Sequence, residues 1–148
     1  MDTGRRIDFS SIGLLILRLG IGGYMLTHGW RKFLNLIAWD IPQQFDPIGL
    51  GPTPSYLLIV FAEFLCALLV MAGLATRLAA IPLVVAMGVA AFVAHGADPW
   101  TMAAATNGSK QPALMFLSVF LALVFTGAGG YSLDAQVVPR IKRRKRYG

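Results

Sequence analysis

Charge is scarce in this chain. Only 14% of its 148 residues are Asp, Glu, Lys or Arg, while 56% are hydrophobic, against about 25% charged in ordinary soluble domains. That deficit selects the membrane class before any motif is read. There is one cysteine, Cys66, which excludes an internal disulfide, CxxC dithiol chemistry and cysteine-ligated iron–sulfur clusters. With two histidines, His28 and His95, zinc would need more ligands than these and Glu63 supply. No glycine-rich dinucleotide fingerprint, P-loop or flavin motif is present, and no Ser/His/Asp order suggests hydrolysis. The length suits one compact bundle.

Apolar runs and what interrupts them fill the remainder. The segment from Ser11 to Lys32, SIGLLILRLGIGGYMLTHGWRK, is about as long as a helix needs to cross a hydrocarbon core of about 30 Å. It reads as a span and not as a cleavable leader, since no small-residue cleavage site follows it. Further spans are expected over 55–75, 77–96 and 112–128. Ser10 or Ser11 is the expected cap of the first helix and Thr76 of the third. Pro82 falls near the first turn of the third span and Pro112 in that of the fourth, where proline is tolerated. The proline-rich connector from Leu34 to Pro54 is not a regular helix, and Trp39 places it at the membrane interface. Residues 133–148 form a short surface helix, capped by Ser132 and stopped by Pro139, and a basic tail.

Of the 13 cations, nine flank the spans on the side of both termini and three lie in the other connectors. The cation bias places both termini in the cytoplasm. Short turns then give an all-α, integral membrane, up-down-up-down four-transmembrane-helix bundle. Six cations crowd the last nine residues, from Arg140 to Arg146. Directly after an apolar segment, such a tail meets anionic lipid and not nucleic acid.

Four ionisable residues lie in or at the edge of the expected hydrocarbon: Arg18, His28, Glu63 and His95. A centred arginine costs about 2.5–3.5 kcal/mol to insert and so needs a partner. Arg18 shares a stripe with Gly22, Met25 and Gly29, and Glu63 with Tyr56, Cys66, Ala67 and Val70; His95 follows Gly88 and Ala91. His28 sits about 80° round the helix from Arg18. In the expected topology His28, His95 and Lys32 collect at one rim, with Glu63 below them and Arg18 deeper. One reading is catalytic, with Glu63, His28 and His95 exchanging protons in a ligand pocket lined by Arg18, Met25, His28, Lys32, Tyr56, Glu63 and His95. The plain alternative is a structural Arg18–Glu63 ion pair without turnover, with the histidines as interfacial side chains. A bis-histidine haem would need both rings at equal depth on facing helices.

Three motifs, RLGIGGYMLTHGWRK (Arg18 to Lys32), AEFLCALLVMAGLATRLAA (Ala62 to Ala80) and GAGGYSLD (Gly127 to Asp134), together resemble the DoxX family over nearly the whole chain. That resemblance implies a small four-span bacterial inner-membrane protein with a redox association. The family includes the quinone-reducing subunit of thiosulfate:quinone oxidoreductase and membrane partners of sulfur-handling enzymes. The chain departs from the family in carrying Gln111 and Pro112 where many members have an acidic residue. The expectation is therefore a subunit for quinone-linked oxidation of a small, sulfur-containing reductant. Quinone would be the cofactor, and other membrane or peripheral redox subunits would supply electrons. The alternative is an accessory subunit packed against a larger respiratory or photosynthetic complex.

Overall fold

The structure is a computed structural model that describes residues 8–102 and 108–137. Among these residues every regular element is helical. Helix α1 runs over Phe9–Ile37, α2 over Pro52–Ala72, α3 over Thr76–Ala94 and α4 over Gln111–Thr126; a short turn of helix, α5, covers 133–137. Each of the first four packs on the next in chain order. The first three, of 29, 21 and 19 residues, are long and apolar enough to cross a membrane, whereas α4 has 16. The core joins Met25, Cys66, Val70, Leu83, Phe120 and Leu123. Outward faces carry exposed Leu19, Leu57, Leu78, Val85 and Phe125, the pattern of helices solvated by hydrocarbon and not by water.

Helix ends differ from expectation wherever a distant group intervenes. The first helix starts earlier than expected, because Asp8 caps it by accepting from the Ser10 amide at 3.1 Å. Ser11 is instead used twice: its hydroxyl donates to Asp8 and accepts from the Gly130 amide. Thr76 is not a cap but the first residue of α3. The capping acceptor is Asp134, 58 residues away in sequence, whose carboxylate takes the Ala75 and Thr76 amides at 2.7 and 3.1 Å. A carboxylate there both satisfies orphan donors and answers the positive helix end. It also holds Ala75 in a left-handed conformation (φ 49°) that alanine ordinarily avoids. Pro82 lies inside α3, past its first turn. Ser132 caps α5 as expected, accepting from the Ala135 amide; Pro139 and the basic tail fall outside the described residues.

Two helices contain π-helical turns, over Phe61–Cys66 in α2 and Ala90–Ala94 in α3. Glycine lets α1 lie directly on the first. A Cβ at Gly29 would collide with the Glu63 carbonyl and come within 2.7 Å of the Phe64 nitrogen. At Gly22 a Cβ would meet the Met71 side chain and stand 3.4 Å from the Ala67 carbonyl. These contacts fix the antiparallel register of α1 on α2. At the far end of α2 the chain turns at Gly73 (φ 70°), where the Leu74 amide donates to the Leu69 carbonyl and the Gly73 amide to Val70.

The α1–α2 connector is held by Asp46, which accepts from the Ser55 hydroxyl at 2.8 Å and from the Leu50 and Gly51 amides at 3.0 Å. The Ser55 hydrogen bond is the main reason its carboxyl lies below the usual carboxylate value; burial opposes this and the Gly51, Leu50 and Gly49 amides add to it. A group depressed on folding stabilises the fold above its unfolded pKa, and that stability is lost as pH falls through the folded value. Thermal stability should therefore fall as the pH drops below about 4, with Asp46→Asn flattening that part of the profile. In the helix pair, Gly29→Val should cost about 1–3 kcal/mol, as overpacking does, read as a lower unfolding midpoint in mixed detergent.

Candidate functional site

Extending the Arg18, Gly22, Met25, Gly29 stripe by three residues reaches Lys32. All four stripe residues are buried, and Lys32 sits at the end of the same face. Side chains on a helix lean toward its N-terminus, so Lys32 leans back into the bundle. Its Nζ donates to Glu63 Oε2 at 2.7 Å, with 30% of the lysine and 5% of the glutamate side chain exposed. Glu63 lies within the π-helical turn, a feature that recurs at functional sites because it re-aims the side chains it carries.

Aromatic residues neighbour the pair in sequence and pack on one another. Phe33 and Phe64 are stacked with centroids 4.2 Å apart and planes 5° from parallel. Trp30, half exposed, lies 5.9 Å from Phe64 and 6.1 Å from Phe33. Tyr56 is buried in a cluster with Ile41 and Val60, against which Phe33 and Phe64 pack. The site thus offers an ammonium donor, an enclosed carboxylate and an aromatic surface at one level of the bundle. Chemically it can hydrogen-bond a carbonyl oxygen, exchange a proton and stack a planar ring.

The expected Arg18–Glu63 pair does not form. Arg18 is fully buried, but its side chain leans toward the N-terminal end of α1, away from Glu63. There Nη2 donates to the Tyr131 carbonyl at 2.6 Å and Nη1 to the Val70 carbonyl at 3.4 Å. About 21 Å of helix separates Arg18 from Lys32 at 1.5 Å per residue. Arg18 and Ser132 both pack against Gly73, and the Arg18 Nε and the Thr76 Oγ1 are buried without a hydrogen-bond partner. The seven expected pocket residues consequently scatter. Met25 is core, Tyr56 is buried with Ile41 and Val60, and Arg18 serves the opposite end. His28 points outward from α1, edge-on to Phe116 of α4 at 6.2 Å. His95 binds Asp98, Nδ1 to Oδ2 at 2.7 Å, just past the second π-helical turn. The two histidine rings do not meet. Lys32 and Glu63 are the members brought together, and Trp30, Phe33 and Phe64 join them unforeseen. The signal for these three was present: each flanks a residue of the Gly29–Lys32 or Glu63 positions on the contacting faces. Among the described residues no group of three metal-ligating side chains occurs.

Fold and site together define a small membrane protein, helical throughout the regular elements of its described residues, with a charge pair enclosed between its first two helices. Residues 13–96 match the DoxX family, and the chain belongs to that family. It is also 31% identical over 121 residues, 82% of its own length and 87% of the relative's, to an uncharacterised protein of Haemophilus influenzae. No solved structure matches it.

Removing one partner of the pair strands the other in the interior. Lys32→Met should cost about 3 kcal/mol of unfolding free energy, the low end for a buried pair because lysine keeps some water. The double variant Lys32→Met/Glu63→Leu should recover most of that loss, a coupling that a double-mutant cycle measures directly.

Proposed function

We propose that this chain is the membrane subunit of an assembly that oxidises a small, sulfur-containing reductant and passes the electrons to quinone. The observation that carries the reading is the Lys32–Glu63 pair, set in a π-helical turn and bordered by Trp30, Phe33 and Phe64. The residues fit a quinone head group. Lys32 would donate to a ring carbonyl, Glu63 would hold and release the proton, and the aromatic surface would take the ring face. A quinone bound there supplies a two-electron, two-proton acceptor. The chain's part is to orient it, exclude water and pass protons through Glu63, with Lys32 and not Arg18 as its charged neighbour. Electrons come from a partner subunit.

In this reading α4 is a fourth crossing, completed by the adjoining residues at each end. The bundle lies in the bacterial inner membrane with both termini cytoplasmic, as the distribution of cations favours. The pair then sits toward the outer leaflet. A second reading, an accessory subunit, is favoured by one observation. Gly13, Gly20 and Gly23 have nothing within 4 Å of where a side chain would begin, leaving a stripe on α1 where a partner helix can approach closely.

The test uses protein in detergent with Trp39 and Trp100 changed to Phe, so that Trp30 alone reports binding of a short-chain quinone by fluorescence quenching. Saturable quenching is expected, and Lys32→Met should weaken it about tenfold, the worth of one hydrogen bond from a charged donor. Glu63→Gln should leave quenching in place but remove quinone reduction in membranes that carry the electron donor. Quenching that does not saturate, or that Lys32→Met leaves unchanged, sinks the assignment.

A further inference from the structure

The opposite end of the bundle, where α3 begins and α4 ends, holds a cleft of about 490 Å³ that the redox reading does not use. Arg77, Leu78, Thr126, Gly127, Gly129 and Asp134 line it. Gly127 (φ 77°) creates the room: the Arg77 side chain lies across it, and a Cβ there would stand 3.0 Å from the guanidinium Nε. We infer that this cleft binds the phosphate of an anionic phospholipid headgroup, with Arg77 as its principal contact.

Charge bookkeeping inside the cleft favours an anion. The Asp134 carboxylate is already committed to the Ala75 and Thr76 amides and faces the buried Arg18. Among the described residues Arg77 forms no ion pair, so its charge is the one left unanswered. A guanidinium matches phosphate geometry with two parallel donors. Position decides between a lipid and a soluble anion. The cleft opens where the apolar helix surfaces end. Leu78, 70% exposed, lines it, and Phe125, 73% exposed, adjoins it in sequence. A headgroup held at Arg77 would lay its acyl chains against such residues. Free phosphate would gain nothing from them. The inference concerns the end remote from Lys32 and Glu63, so it stands or falls apart from the quinone reading.

The experiment uses the full chain in neutral detergent, titrated with phosphatidylglycerol, phosphatidylcholine or inorganic phosphate. Thermal unfolding and native mass spectrometry are the readouts. Phosphatidylglycerol should raise the unfolding temperature and leave a bound-lipid adduct. Phosphatidylcholine and inorganic phosphate should do little. Arg77→Gln should weaken the phosphatidylglycerol effect about fivefold, and Arg77→Lys should restore part of it. Arg143→Gln, which removes an equal charge from the tail, should leave it intact. Three outcomes would each overturn the assignment: an unchanged response in Arg77→Gln, an equal response to inorganic phosphate, or a loss in Arg143→Gln matching that in Arg77→Gln.

Discussion

The contact between the Gly29 backbone and the Glu63 peptide is the constraint from which the other arrangements follow. Two helices that touch main chain to main chain cannot slide, because side chains no longer cushion the interface. With Gly29 on Glu63 and Gly22 on Ala67 and Met71, every later residue of α1 has one level of α2 to meet. Lys32, three residues beyond Gly29, arrives at the Glu63 carboxylate. Arg18, four before Gly22, arrives at Val70 and the Gly73 turn. A larger residue at Gly29 would press on the α2 backbone and move Lys32 off its partner.

The two cations solve the same problem differently, in keeping with their chemistry. Arg18 carries its donors in one plane and uses Nη1 on the Val70 carbonyl at a helix end and Nη2 on the Tyr131 carbonyl of the C-terminal segment. That ties GAGGYSLD to the first helix, and Asp134 extends the tie to α3 by capping it. Lys32, a point charge on a flexible arm, takes a single carboxylate instead. One cation closes the bundle, and the other equips it with a protonatable group. A chain with so few charges thus places them where each has a separate task.

Much of this was legible beforehand. The apolar runs located the three helices long enough to cross a membrane and the shorter α4, and spacings of three and four found the buried stripe of α1. The pairing of Arg18 was misread because the direction in which side chains lean was left out. Depth along the axis alone puts Arg18 near Glu63, whereas the lean toward the N-terminus separates them and delivers Lys32. The Thr76 cap was misread for a different reason: the acceptor, Asp134, lies far along the chain, and no local pattern announces it. The π-helical turns left no mark at all. AAFVA is apolar throughout and FAEFLC is apolar but for Glu63, and neither carries a residue that local pattern reads as a wider turn.

A π-helical turn holds one residue more than the ordinary winding needs, and the surplus in Phe61–Cys66 has a geometric consequence. It offsets the two halves of α2 by roughly 100° relative to an uninterrupted helix. The half toward Pro52 can therefore present Tyr56 and Val60 to the aromatic cluster while the half toward Ala72 presents Ala67 and Val70 to the main core. Excising a single residue between them would leave hydropathy and length nearly untouched yet swing one half out of phase, so that only one of the two interfaces could be kept.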